Sequence, residues 1–163
     1  MPEPTGASAI DIVPGDFADS RVLALLGEHL AGMHGSSPPG AVYALGVAAL
    51  QAPEIAFFTA WRGEVLLGCG ALKHFDAAHG ELKSMRTAAA HLRQGIASRL
   101  LDHLLALARS RGYRRVLLET GSGPAFEPAL TLYRRYGFQN CGAFGDYQAS
   151  DFNQFLGLDL DLR

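Results

Sequence analysis

Residues 91–98 have the side chains of a phosphate-binding turn. Gly95 and Ala97 are small enough to let a phosphate approach the backbone. Ser98 adds a hydroxyl and Arg93 a positive charge. A helical pattern begins at Gly95, and the first N–H groups of a helix have no partner within it and lie at the positive end of its dipole. These residues indicate anion binding through main-chain amides. An ordinary helix start remains an equal alternative on local sequence alone.

The composition of the chain indicates what kind of protein contains this turn. The chain has 163 residues, of which 48% are hydrophobic and 18% charged, with a net charge of -2. These values favour one folded domain over residues 1–163 and give no electrostatic footprint for nucleic acid or a membrane surface. Two cysteines are too few for a disulfide framework, and the six histidines show no metal-ligand spacing. The first residues lack the features of a signal peptide, so we expect a cytoplasmic protein.

Hydrophobic periodicity predicts a mixed α/β domain. Strand patterns separated by short turns indicate an antiparallel meander, and helical patterns flank a short, wholly apolar strand that both sheet faces should cover. The predicted elements are strands at 9–13, 55–61, 65–75, 81–87, 116–118, 138–144 and 153–162, and helices at 16–35, 41–51, 95–112 and 128–136. This order, βααβββαβαββ, predicts a central mixed sheet of six or seven strands with helices on both faces.

Two segments of the chain resemble the signatures of the GNAT superfamily of N-acetyltransferases. Residues 92–97 read Leu-Arg-Gln-Gly-Ile-Ala, which is similar to the Gln/Arg-x-x-Gly-x-Gly/Ala acyl-CoA signature of that family. Residues 129–138 read Ala-Leu-Thr-Leu-Tyr-Arg-Arg-Tyr-Gly-Phe and look like its second helix motif. Leu92 departs from the usual Gln or Arg, so one side-chain contact is lost. The element order matches the GNAT fold over nearly the whole chain.

The resemblance implies acetyl-CoA as a cosubstrate, wedged between two splayed parallel strands. These strands would be 81–87 and 115–120. The pantetheine amides would pair with the backbone of Met85, Arg86 and Thr87. The pyrophosphate would lie on the amides of Arg93, Gln94, Gly95, Ile96, Ala97 and Ser98.

The resemblance also implies the catalytic groups. Tyr133 matches the family tyrosine that lies near the sulfur, which makes it the candidate acid; spacing alone favours a core position for it. Glu81 is the candidate base, directly or through water, and an ion pair at the sheet rim is its equal alternative. Glu119 is a second candidate base. Strict alternation along the strand would place Glu81 and Lys83 on one face together with Met85 and Thr87.

The acceptor is the least determined part. Lys73, Lys83 and Arg86 are cations on adjacent strands that could receive an acidic group, although a solvated edge is the simpler interpretation. Tyr147 is a further candidate for the acceptor pocket. Cys69, between two glycines, is more typical of a buried thiol than of a nucleophile.

The sequence therefore predicts an N-acetyltransferase that transfers acetyl from acetyl-CoA to the amine of a small-molecule or amino-acid-like acceptor, by direct attack in a ternary complex. The alternative is a non-catalytic CoA-binding sensor or scaffold with the same fold. We expect a monomer or homodimer that binds neither nucleic acid nor membrane.

Overall fold

The computed structural model describes residues 9–39 and 45–160, in which seven strands form one mixed sheet. The strands are β1 (Asp11–Pro14), β2 (Ile55–Arg62), β3 (Val65–His74), β4 (His79–Thr87), β5 (Arg115–Thr120), β6 (Gln139–Asn140) and β7 (Gln154–Asp159). The helices are α1 (Ser20–Ser36), α2 (Val47–Leu50), α3 (Ile96–Ser110) and α4 (Glu127–Arg135). The sheet order is β1-β2-β3-β4-β5-β7-β6. This arrangement confirms the predicted fold class and element order.

Both faces of the sheet are covered by amphipathic helices. The apolar stripe of α3 is fully buried at Leu100, Leu101 and Leu104 and packs on β3 and β4. On the other face, α1 buries Val22, Leu25 and Leu26. Burying such a side chain contributes about 1.5–3 kcal/mol relative to leaving it in water. The two helices therefore pack against β3 and β4 from opposite faces of the sheet.

The two parallel strands separate partway along their length. The pairs between β4 and β5 are His79 with Arg115, Gly80 with Val116 and Glu81 with Leu117. β4 continues to Thr87 and β5 to Thr120 without further pairing to each other. Main-chain groups of β4 that face this gap have no hydrogen-bond partner on β5. Backbone N–H and C=O groups require such a partner when they are away from water. The gap is the splay that the resemblance implied.

A bulge in β4 changes which side chains face which helix. Lys83 pairs with Ala71 and Arg86 pairs with Cys69, so that two residues, Ser84 and Met85, lie opposite one. Ser84 has a positive φ of 56°. An extra residue of this kind moves all later side chains to the opposite face.

The prediction of strict alternation is therefore wrong beyond residue 83. Lys83 and Arg86 share the α1 face, because paired residues lie on the same face. Met85 lies on the α3 face, where a Cβ atom at Gly70 would be 2.5 Å from its sulfur. Thr87, opposite Gly68, is on that face too.

Element ends differ from the prediction in three places. α1 begins at Ser20, capped by Asp19, whose Oδ1 accepts the Arg21 amide at 2.8 Å; Asp16 instead accepts from the Ala18 amide in the preceding turn. The predicted helix at 41–51 is observed only as α2, and its residues 41–44 lie outside the described part. The predicted strand at 138–144 ends at Asn140, and the chain then passes through Gly145 with a φ of 60° before β7.

None of the helices in the described ranges combines the length and the apolar character that crossing a bilayer requires.

Candidate active site

A cavity of about 780 Å³ opens where β4 and β5 diverge. Its walls come from α1, the second half of β4, the start of α3, the end of β5 and the first turns of α4. The site is therefore built by five elements that are far apart in the chain. It brings together most of the residues that the sequence singled out.

The start of α3 forms one end of the cavity. Gly95 caps this helix in the left-handed region (φ 79°, ψ 12°), and no side chain caps the first turn. Arg93 also has a positive φ, of 63°. A left-handed residue on each side of Gln94 gives a turn of the kind in which backbone N–H groups converge toward an anion. Five of the six predicted residues line the cavity: Arg93, Gly95, Ile96, Ala97 and Ser98.

Gln94 and Leu92 have other surroundings. The Gln94 side chain is exposed and its Oε1 accepts a hydrogen bond from Arg62 Nη1 at 3.2 Å. Gln94 is not among the residues found to line the cavity. Leu92 does line it, with 58% of its surface exposed. The predicted cradle uses main-chain amides, so the unusual side chain of Leu92 removes none of its donors.

Tyr133 reaches the cavity from α4. The residue is 6% exposed, and its ring packs edge-on against Phe138 with centroids 5.5 Å apart. Its hydroxyl makes no hydrogen bond to any residue in the ranges that the structure describes. Burial raises the pKa of Tyr133 to about 12, because the phenolate would lose its hydration. The hydroxyl is therefore protonated at neutral pH and available as a donor.

Two carboxylates lie near the divergence of the strands, in different surroundings. Glu119, on β5, lines the cavity and is half-buried. Burial raises its pKa, while the charge of Lys83 and a hydrogen bond from Asn153 act against that shift. Glu81, on β4, is 2% exposed and is not among the lining residues. The sequence favoured Glu81 as the base, whereas in the structure it is Glu119 that lines the cavity.

Glu81 belongs to a polar cluster with Lys83 and Tyr147. The Lys83 ammonium is 3.5 Å from a Glu81 carboxylate oxygen and donates to the Tyr147 hydroxyl at 2.5 Å. That hydroxyl in turn donates to Glu81. Burial lowers the pKa of Lys83, and the charges of Glu81 and Glu119 partly restore it. Lys83 lines the cavity, whereas Tyr147 and Lys73, the other predicted acceptor residues, are not among the lining residues.

The sequence did not single out His29, which lies on α1 and lines the same cavity. Arg86 Nε donates to His29 Nδ1 at 3.0 Å, and Arg86 Nη2 donates to the His29 carbonyl at 3.2 Å. Burial and the Arg86 charge lower the pKa of His29 to about 4. The sequence could have indicated that His29 is buried, because it continues the apolar stripe of α1 formed by Val22, Leu25 and Leu26.

Cys69 is enclosed by the sheet. Its side chain has no solvent exposure, and its thiol donates to the Ser84 carbonyl at 3.3 Å. Burial raises the pKa of Cys69 to about 12. A nucleophilic thiolate is disfavoured there, so a thiol-dependent reaction has no support in this site.

The chain is similar to known acetyltransferases along most of its length. Residues 33–138 match the model of the Acetyltransferase (GNAT) family. An uncharacterized N-acetyltransferase of Bacillus subtilis is 52% identical over 141 residues, which cover 86% of this chain and 93% of the relative. A second uncharacterized N-acetyltransferase, from Escherichia coli, is 44% identical and covers 89% of this chain and 91% of its own. An IAA acetyltransferase of Azospirillum brasilense is 32% identical, covering 73% and 77%.

Solved structures share the fold. A GNAT family acetyltransferase from Elizabethkingia anophelis with acetyl-CoA bound superposes with a TM-score of 0.68 at 19% identity, covering 93% of this chain and 98% of its own. An acetyltransferase from Bacillus subtilis in complex with CoA gives a TM-score of 0.70 at 18% identity, with coverage of 93% and 99%.

Proposed function

Since the chain belongs to the GNAT family of acetyltransferases, we propose that it transfers the acetyl group of acetyl-CoA to the amine of a small-molecule acceptor, by direct attack while both substrates are bound. The enzyme class, an acetyl-CoA-dependent N-acetyltransferase, follows from family membership. The nature of the acceptor, the ternary mechanism and the roles of individual residues are our proposal.

The observation that carries the proposal is the gap between β4 and β5 with a main-chain anion cradle at one end. A pantetheine chain carries amides, and β4 is not paired with β5 at Met85, Arg86 and Thr87, all of which line the cavity. A diphosphate needs several N–H donors, and the uncapped first turn of α3 supplies them. The two features fit two adjoining parts of one coenzyme A molecule, the pantetheine arm and the diphosphate.

Bound acetyl-CoA would supply an acyl carbon activated as a thioester. Tyr133 would donate a hydrogen bond to the sulfur as negative charge develops there. With a pKa of about 12, the Tyr133 phenol is a weaker acid than a thiol, whose ordinary value is about 8.5. Tyr133 therefore acts as a hydrogen-bond donor to the leaving group, while complete proton transfer to the thiolate is unfavourable.

Glu119 is the better candidate for the base that takes the proton of the amine, directly or through water. An alkyl amine has a pKa of roughly 10 and must lose a proton before it can attack. A carboxylate whose pKa is raised accepts that proton more readily than an ordinary one, and Glu119 lines the cavity. Glu81 would serve a different purpose, because it balances the charge of Lys83 from behind the cavity wall.

Release of free thiol from acetyl-CoA, measured with a panel of small amines and amino acids, tests the proposal. We expect amine-dependent thiol release and stabilisation of the protein against heating by coenzyme A. Coenzyme A binding without turnover on any amine would instead indicate a binding module. Absence of both binding and turnover would remove the cradle as well as the reaction.

A further inference from the structure

We propose that the Arg86 side chain binds a carboxylate of the acceptor, so that the acceptor is a small amine that also carries a carboxylate, such as an amino acid. This inference rests on the proposed function, because it identifies the second substrate of the same site. It concerns the side chain of Arg86, which is separate from the backbone contact expected for coenzyme A.

The first argument is that Arg86 carries a charge without a counter-ion. Its side chain is half-buried, and the two hydrogen bonds that it makes go to neutral groups of His29. Within residues 9–39 and 45–160, no carboxylate forms an ion pair with it. A guanidinium has five N–H donors, so three remain for a ligand. A partly buried cation of this kind is stabilised when an anion binds beside it.

The neighbouring cation shows the contrast. Lys83 lines the same cavity on the same face of β4, but the Glu81 carboxylate lies 3.5 Å from its ammonium. Its charge is thus balanced within the protein. Of the two cations that β4 contributes to the cavity, Arg86 is the one whose positive charge a bound ligand would neutralise.

The second argument is the face on which Arg86 lies. The bulge at Ser84 places its side chain on the α1 face of the sheet, whereas the anion cradle is at the start of α3, which packs on the opposite face. The diphosphate of the cosubstrate is therefore held elsewhere. An anion at Arg86 belongs to the other substrate.

The third argument is that α1 is shaped to hold the guanidinium in one orientation. His29 is 5% exposed, and its lowered pKa keeps the imidazole neutral at physiological pH, so that Nδ1 accepts the Arg86 Nε–H. One turn later, Gly32 leaves the space that Arg86 needs, since a Cβ there would lie 2.6 Å from Nη2. A planar fork fixed in this way matches the geometry of a carboxylate.

The two substrate groups would then have separate partners. Arg86 on β4 and Glu119 on β5 line the cavity from the two strands that border the gap. The carboxylate of the acceptor would bind Arg86 and its amine would lie toward Glu119. An amine without an acidic group keeps only the second of these contacts.

The test compares matched acceptors in wild type and Arg86→Gln. Each L-amino acid of a panel is paired with the amine that remains when its carboxylate is removed, for example phenylalanine with phenethylamine. We expect wild type to favour the amino acid of the best pair. Arg86→Gln should lower kcat/KM for that amino acid by roughly ten- to a hundredfold, the range for a lost hydrogen bond to a charged group, mainly through KM. The paired amine should change by less than about threefold.

Controls separate this inference from the proposed function. Arg109→Gln removes an equal charge from the exposed far end of α3 and should alter neither acceptor. Gly32→Ala, which adds the methyl group that Arg86 would meet, should raise KM for the amino acid without loss of folded structure. Turnover of the amino acid that is insensitive to Arg86→Gln, or a wild type that prefers the paired amines, would overturn the inference and leave the acetyltransferase proposal standing.

A binding measurement covers the case of no turnover. Calorimetric titration of the coenzyme A complex with N-acetyl amino acids and with the matching N-acetyl amines reports on the acceptor half directly. Binding of the acids that Arg86→Gln weakens would support the inference even if catalysis failed. Equal binding of acids and neutral amides, or none of either, would refute it.

Discussion

Tyr133 and Glu119 line one cavity, and burial moves both of their pKa values upward. For Tyr133 the shift, to about 12, preserves the hydroxyl as a donor across the physiological range. For Glu119 the shift makes the carboxylate a stronger base. The same physical cause, loss of hydration for a charged form, thus prepares one side chain to donate and the other to accept.

Replacing Tyr133 by phenylalanine should lower kcat by about ten- to a thousandfold, a broad range for losing one hydrogen-bond donor to the developing charge. Coenzyme A affinity should change little, because the ring and its contact with Phe138 remain. Steady-state kinetics and calorimetry measure the two effects separately. The control is Tyr113→Phe, which removes a hydroxyl bonded to His74 outside the cavity. Unaltered turnover of Tyr133→Phe would exclude the residue from the mechanism.

The two carboxylates should differ in the pH profile of kcat/KM. If Glu119 is the base, activity falls as the pH drops through its raised pKa, and Glu119→Gln lowers activity and removes this acid limb. Glu81→Gln should keep the limb and instead disturb Lys83, which loses its counter-ion. Glu28→Gln, on the exposed side of α1, is the matched control. A Glu119→Gln profile that retains its acid limb would return the role to Glu81.

At this scale the sequence singled out residues 93–98, of which all but Gln94 line the cavity, but it did not predict the contacts on the acceptor side. Gly95 and its small neighbours have a local signature, because a helix start needs only consecutive residues. The contact between His29 and Arg86 joins residues that are distant in the chain, and neither residue type predicts it. The same holds for the choice between Glu81 and Glu119, which depends on where β4 and β5 stop pairing.

At the scale of elements, α3 combines two tasks in one helix. Its buried leucines fix it against β3 and β4, and its uncapped first turn faces the cavity. Tyr136, just beyond α4, donates to Asp102 Oδ1 at 2.6 Å and to the Ser98 carbonyl at 3.1 Å. The buried leucines below α3 and the contacts of Tyr136 beside it therefore fix the position of its first turn.

Gly95→Glu should weaken coenzyme A binding by at least about tenfold, because it puts a negative charge and bulk at the anion cradle. A Cβ at Gly95 meets no atom within 4 Å, so the expected cost to folding is the left-handed φ of 79°, roughly 1–2 kcal/mol. Gly112→Glu is the control, since Gly112 ends the same helix with a φ of 78° and equally open space. Both variants should lose thermal stability, Gly112→Glu somewhat more because its carboxylate lies at the negative end of the helix dipole, and only Gly95→Glu should lose affinity. Normal coenzyme A binding by Gly95→Glu would contradict the cradle.

The elements themselves were largely predictable, and the β4 bulge was not. Periods of two and of about four residues placed the strands and helices, and short turns fixed the meander. An extra residue in a strand leaves no trace in that period, and serine is not a residue from which a left-handed φ is expected. The glycines at 68 and 70 in β3 were the one available signal, because glycine inside a strand often accompanies a bulge or a close approach.

For the molecule as a whole, His29 links the site to the stability of the fold. An unfolded histidine has a pKa of about 6.5, whereas the folded value is about 4. Between these values the unfolded chain binds a proton that the native protein does not bind. The neutral, buried imidazole of His29 therefore contributes roughly 3 kcal/mol to the free energy of unfolding above pH 6.5. This contribution is lost as the pH falls toward 4.

His29→Gln should flatten the loss of unfolding free energy between pH 6.5 and 4, while its amide oxygen still accepts from Arg86. Denaturant unfolding at several pH values measures the slope. His34→Gln, which changes an exposed histidine on the same helix, should keep the wild-type slope. An unchanged slope in His29→Gln would mean that the buried imidazole does not govern the acid sensitivity of the protein.

The bulge at Ser84 also has a consequence for how this scaffold can diversify. Under the proposed function, β4 would hold the acetyl donor through main-chain atoms and would meet the incoming amine through the side chain of Arg86. Every amino acid except proline has the same main-chain donor and acceptor, so substitutions at position 86 would change the choice of amine and leave the binding of the donor intact. A small library at that position is thus a direct route to enzymes with new acceptors.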